Sequence, residues 1–246
     1  MSYITSINRS VRKILRSRFG IEVAYAKYCP RLSENKVFRY YLGQEAKVGM
    51  VFDIGANIGQ SALELSKSFQ EATIHSFEPF HENFKKLEQN TRGVSSIHPH
   101  RLALTDRNGS MEVLVDNVEN SEWNSITSER QKTLAQSSSS LQEKVELMTG
   151  DSFCNSNLID RIDILKVDTE GHDFEVVKGF DKLFEKEGIR SVLVEVGFLQ
   201  DLTHGNFQLI NEYLTSQGMK LAGFYETCYF ESGKCEFTNA LYIKDS

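Results

Sequence analysis

The sequence predicts an α/β fold, a doubly wound, mainly parallel sheet with helices on both faces, and three observations carry that expectation. Short apolar runs alternate with amphipathic stretches of helical period from residue 49 onward. The first run, VFDIGANIGQSA (51–62), ends in two glycines separated by three residues. The second, TIHSFEP (73–79), ends on an acid, Glu78. Parallel strands covered on both faces read as nearly continuous apolar segments. In such sheets, ligands bind beyond the carboxyl ends of the strands, where the strand order reverses.

Taken in order, GMVFDIGAN (49–57) reads as a buried strand with its turn and GQSALELSKSF (59–69) as a helix. TIHSFEP follows as a strand, HENFKKLEQNT (81–91) as a helix, and SSIHPHRLAL (95–104) holds the expected third strand. GSMEVLVD (109–116) has the alternation of an inserted hairpin strand. Residues 117–143, with serines at 137 to 140, are expected to form an irregular, mobile loop. Regular structure resumes with strand IDILKVD (162–168), helix DFEVVKGFDKLFEK (173–186), strand SVLVEV (191–196) and helix NFQLINEYLTSQG (206–218). KLAGFYE (220–226) and FTNALYIK (237–244) supply the last strands. Neither an internal repeat nor a proline-rich linker divides residues 46–246, so one domain is expected there, preceded by a helical extension over residues 1–45.

Composition narrows the function classes. The 246 residues, 40% hydrophobic and 25% charged, suit one sizeable core. No apolar run approaches the roughly 18 residues of a membrane span, and the N-terminus lacks the apolar segment of a signal peptide, so a soluble, cytoplasmic protein is expected. Cys29, Cys154, Cys228 and Cys235 form neither a C-x-x-C pair nor a cluster with histidine, which argues against a zinc site or a disulfide framework. A net charge of −6 argues against a nucleic-acid partner. Against that balance, Arg9, Arg12, Lys13, Arg16 and Arg18 face no acid in the first twenty residues, while Ile7, Val11, Ile14, Leu15 and Phe19 recur at helical spacing. Such a basic amphipathic helix packs on its own domain or touches an anionic membrane surface or a phosphate-bearing acceptor.

The glycine turn spells G-x-N-x-G, not the G-x-G-x-x-G of pyrophosphate binders. Asp53 beside it would repel a phosphate and attract an ammonium group. Glu78 stands where an acid accepts hydrogen bonds from both ribose hydroxyls. An amino-acid-bearing nucleoside satisfies both ends, and S-adenosylmethionine is such a molecule.

At this point the sequence resembles the FkbM-type S-adenosylmethionine-dependent methyltransferases. VFDIGANIGQSA, SFEPF (76–80), LALTDRNGSMEV (102–113), NSI (124–126), IDILKVDTEGHDFEVVKGF (162–180) and VLVEV (192–196) match that family in its order, the Lys166 to Gly171 block most specifically. The resemblance implies a class I methyltransferase (Rossmann-like) fold of about seven strands with the last antiparallel. It also implies O-methylation of a hydroxyl on a saccharide or glycan, or else on a polyketide-like natural product. Carried over, it places Asp53, Gly55, Asn57 and Gly59 around the methionine part of the cofactor, Glu78 on its ribose, and Ala103 and Leu104 beside the adenine. Asp168 falls near the transferable methyl, with Glu170, His172 and Asp173 on the following turn.

Methyl transfer to a hydroxyl requires in-line alignment and a base, and Asp168, Glu170 and His172 are the candidates. Carboxylates this close repel unless protonated or bridged, so a divalent metal between Asp168 and Glu195 is conceivable, though the less favoured arrangement. Helix capping by Glu170 and Asp173 is the plainer reading. Trp123 and Asn124, in the polar loop, suit stacking on a sugar ring or, equally, the core. The motifs of base-amino and cytosine-C5 methyltransferases are absent. A nicotinamide-dependent dehydrogenase, which would want the third glycine, and a non-catalytic nucleoside-binding module are the alternatives from other classes.

Overall fold

The computed structural model describes residues 38, 47–116, 126–127, 131–132, 140–198, 204–229, 233 and 235–244. The basic helix expected in residues 1–20, together with Trp123 and Asn124, lies outside the described residues.

Seven strands form the main sheet: β1 (Met50–Ile54), β2 (Thr73–Phe77), β3 (Ile97–His100), β7 (Ile164–Val167), β8 (Ser191–Gly197), β9 (Met219–Tyr225) and β10 (Phe237–Lys244), in the order β3-β2-β1-β7-β8-β10-β9. The first five run parallel, and β10 is antiparallel to both of its neighbours. This is the class I, Rossmann-like methyltransferase arrangement. The order reverses between β1 and β7, so the crevice above their carboxyl ends is the topological switch point.

Helices α1 (Gln60–Ser68), α2 (His81–Thr91), α3 (Gly150–Ser156), α4 (Asp173–Lys178), α5 (Asp181–Glu185) and α6 (Phe207–Ser216) accompany the sheet. Each longer one buries one stripe at a helical interval, such as Asn83, Leu87 and Thr91 on α2 or Ile210 and Leu214 on α6. The largest cluster of buried side chains gathers Phe52, Phe77, Phe153 and Phe180, with Phe52 making edge contacts to Phe153 and Phe180.

Three expectations need correction. The stretch 95–104 is not one strand: the chain turns at Arg101, where Leu102 N donates to His100 O at 3.0 Å, and β4 (Ala103–Thr105) leaves for a second, three-stranded sheet, in which β6 (Ser140–Thr149) lies between β4 and β5 (Gly109–Asp116). Ala103 and Leu104 therefore do not end the third strand of the main sheet; they are 5% and 2% exposed inside apolar clusters. Next, residues 140–143 are not loop but the start of β6 (Ser140–Thr149), paired antiparallel with β5 (Gly109–Asp116). Finally, 173–186 is two helices. Gly179 passes so near Thr105 O that a Cβ there would lie 2.2 Å away, and the Asp151 carboxylate accepts from Lys182 N and Leu183 N at 2.9 and 3.0 Å, starting α5 anew.

Candidate active site

The β1 turn is built by backbone bonds from its neighbours. Gly55 N and Ala56 N both donate to Phe77 O at 3.0 Å, which pulls the turn against the end of β2. Glu78 Oε2 accepts from Asn57 N and Oε1 from Phe80 N, each at 3.0 Å, so one carboxylate ties the glycine turn to the start of α2. Glu78 is 4% exposed, and burial pushes its pKa up to about 7 against the pull of those backbone bonds. The glycines serve close packing of the protein itself. A Cβ on Gly55 (φ +81) would sit 1.8 Å from Asp168 O, and one on Gly59 (φ +93) would sit 2.8 Å from Leu87 Cδ1.

Asp53 lies beneath this turn with no exposure. Its Oδ2 accepts from Ser61 Oγ at 2.6 Å, and Lys166 Nζ lies 3.6 Å from its Oδ1. Desolvation raises the Asp53 pKa, opposed first by the Lys166 charge. Asp53 Oδ1 and Asn57 Oδ1 are buried without a hydrogen-bond partner among the described residues. Two orphaned acceptors at one turn fit a ligand carrying donors, such as the ammonium and hydroxyls of S-adenosylmethionine.

Asp168 lies on the second turn, at the end of β7, with its Oδ2 3.0 Å from Lys166 Nζ. Lys166 is the residue that sequence reasoning missed. Its signal was the strand period, since Lys166 and Asp168 project to one face and the β1–β7 register sets Lys166 opposite Asp53. Asp173, fully buried, accepts from Thr169 N at 2.9 Å, Thr169 Oγ1 at 3.1 Å and Gly171 N at 3.2 Å, so it shapes the turn that carries Glu170. Burial raises Asp173 to about 7, with Glu195 and Asp168 adding to it.

Glu170 (φ +53) faces a different set of groups. Burial first, then the charges of Glu195 and Asp168, push its pKa up to about 8. Glu195 Oε2 and His204 Nδ1 are 3.0 Å apart, and one donor atom from each of Glu170, Glu195 and His204 fits within a mutual 4.8 Å. No local pattern in the sequence marks His204; only the tertiary fold brings it to Glu195. Asp168 lies against Lys166, and Glu195 against His204.

His172 turns elsewhere. Its Nε2 lies 2.8 Å from Thr105 Oγ1 and its Nδ1 3.6 Å from Glu175, so it tethers the β7 turn to β4; burial lowers its pKa. Asp53, Gly55, Asn57, Gly59, Glu78, Asp168 and Glu170 thus share the carboxyl edge, whereas Ala103, Leu104 and His172 engage the second sheet and the core.

Residues 53–221 match the family described as the methyltransferase FkbM domain. The chain belongs to the FkbM methyltransferase family. This FkbM protein is 25% identical over 164 residues to the hexuronic acid methyltransferase AglP of Haloferax volcanii, a match covering 66% of this chain and 62% of the relative. The chain thus spans less than two thirds of that relative's length. It is 26% identical over 188 residues to methyltransferase 1 of Beauveria bassiana, covering 70% of this chain and 72% of the other. Among solved structures, methyltransferase FkbM from Methylobacillus flagellatus aligns over 80% of this chain and 43% of its own, at 14% identity and a TM-score of 0.47.

Proposed function

We propose that this FkbM methyltransferase moves the methyl group of S-adenosylmethionine to a hydroxyl of a saccharide or glycan. The observation that carries the cofactor assignment is the β1 turn, where Glu78 holds Asn57 N at 3.0 Å while Asp53 Oδ1, 3.6 Å from Lys166 Nζ, and Asn57 Oδ1 are buried without a hydrogen bond among the described residues. A relative named for hexuronic acid supports the sugar acceptor. The acidic balance of the chain, −6, stands against a nucleic acid.

In this reading Asp53 and Asn57 hold the amino-acid end of the cofactor, and Glu78 holds its ribose through the acceptor capacity that remains beside two backbone bonds. The bound sulfonium supplies an electrophilic methyl. Asp168 orients the acceptor hydroxyl and takes its proton as the new bond forms. Its side chain is 37% exposed, against 12% for His172, so an acceptor can reach it, and Lys166 Nζ fixes it from below. His172 holds the turn in place.

Calorimetry tests the cofactor half. S-adenosylhomocysteine binds with a micromolar dissociation constant, on the order of −7 to −8 kcal/mol, and NAD does not bind. Heat with NAD and none with S-adenosylhomocysteine would return the chain to the dehydrogenase reading.

A further inference from the structure

We propose that Glu170, Glu195 and His204 bind one divalent cation beside the methyl-transfer site. The three donors come from separate segments: the turn after β7, the strand β8, and the stretch leading into α6. One donor atom from each fits within a mutual 4.8 Å. His204 Nδ1 and Glu195 Oε2 stand 3.0 Å apart, which is also the spacing of two neighbouring ligands on an ion with bonds of about 2.1 Å.

Backbone bonds and packing hold each segment, unlike a chance gathering of surface acids. Gly197 N donates to Gly205 O at 2.7 Å, and Gly197 bridges Asn206, which pins the His204 segment to the end of β8. The His204 ring lies 4.5 Å from that of Phe237, and a Cβ on Gly205 would meet Glu195 O at 2.8 Å and Asp173 Cβ at 3.0 Å. Asp173 fixes the turn that presents Glu170 through its bonds to Thr169 and Gly171. Glu195 and His204 are each 9% exposed, so bulk water screens this pair poorly. Lys166 is turned to Asp53 and Asp168.

Two carboxylates and one imidazole suit Mn²⁺ or Mg²⁺, with Zn²⁺ as competitor. Three protein ligands leave about three positions of an octahedron open. On the saccharide reading above, adjacent oxygens of the acceptor fill them, and a metal-bound hydroxyl gives up its proton more easily.

The test uses the full chain after exhaustive chelation, titrated with Mn²⁺ alone and followed by electron paramagnetic resonance of the free ion. One site is expected. Glu195→Gln and His204→Ala each weaken it at least tenfold, the remote Glu88→Gln leaves it unchanged, and thermal melts verify that each variant is folded. No uptake by the wild type at millimolar Mn²⁺, or equal uptake by folded Glu195→Gln and His204→Ala, overturns the proposal. Methyl transfer is assayed on the same samples: it is lost on chelation and restored by Mn²⁺, and unchanged transfer removes the acceptor role. Binding of S-adenosylhomocysteine, measured separately without metal, reports on the cofactor reading independently.

Discussion

Glu78 ties the glycine turn to the start of α2, and in the proposed function it also accepts from a ribose. Ribose hydroxyls donate to the ionised carboxylate, and burial holds the Glu78 pKa near 7 against an ordinary 4.5. Affinity for S-adenosylhomocysteine therefore rises between pH 6 and pH 8, and Glu78→Gln abolishes the rise, as calorimetry across that range will register. The linkage to stability has the opposite slope: the unfolded chain releases this proton near 4.5 and the folded one near 7, so the Glu78 contribution falls as pH climbs through that window. Asp168 answers to a kinetic test. Asp168→Asn cuts methyl transfer at least about a hundredfold, the scale of a lost general base, with little change in cofactor affinity. Lys166→Met strips the cation from buried Asp53 and costs about 3–5 kcal/mol, to be measured as a lower urea midpoint. The places of Asp53, Asn57 and Glu78 at the ends of β1 and β2 were legible because strand ends and spacing are local facts. The Glu195–His204 contact was not, since nothing in a sequence says which loop folds over which strand end.

At the level of elements, the two glycines of the β1 turn separate in a mutational comparison. Gly55→Ala drives a Cβ to 1.8 Å from the Asp168 carbonyl, which is backbone and cannot yield, whereas Gly59→Ala meets Leu87 Cδ1, the end of a side chain that can rotate. Both also pay left-handed strain of about 1–2 kcal/mol. Urea unfolding should accordingly rank Gly55→Ala as clearly the more destabilising; equal losses would show that the β1 and β7 turns are not in contact. The same crowding explains what the sequence concealed. Val51 to Ile54 and Ser191 to Val196 are apolar but for Asp53, Ser191 and Glu195, and were legible as strands, because a buried parallel strand leaves a nearly continuous apolar trace. The break at Gly179 was hidden, since it follows from a close pass by Thr105 in a different sheet. Serine-rich composition masked the first residues of β6, which bury little and owe their strand form to pairing with β5.

For the whole molecule, alternation along the chain was enough to anticipate a parallel sheet with helices on both faces, and the family resemblance supplied its seven strands; neither revealed the three-stranded companion, whose strand β4 is only three residues long. No helix among the described residues is long and apolar enough to cross a membrane. One stability feature spans β2 and β3. His75 Nδ1 lies 2.9 Å from His100 Nε2, and burial, then neighbouring imidazoles, lower both pKa values to about 4. The unfolded chain takes up these protons near pH 6.5 and the folded chain only near 4, so the pair's contribution is lost as pH falls through that interval. Thermal melts should therefore move in favour of the His75→Phe, His100→Phe double variant relative to wild type on going from pH 7 to pH 4. Transfer of a labelled methyl group tests the proposed saccharide O-methylation. The purified protein is supplied with methyl-labelled S-adenosylmethionine and an extract from a strain lacking this gene, and the labelled product is hydrolysed. Label recovered in an O-methylated monosaccharide is the predicted result; label in protein, nucleic acid or a non-sugar fragment would contradict it.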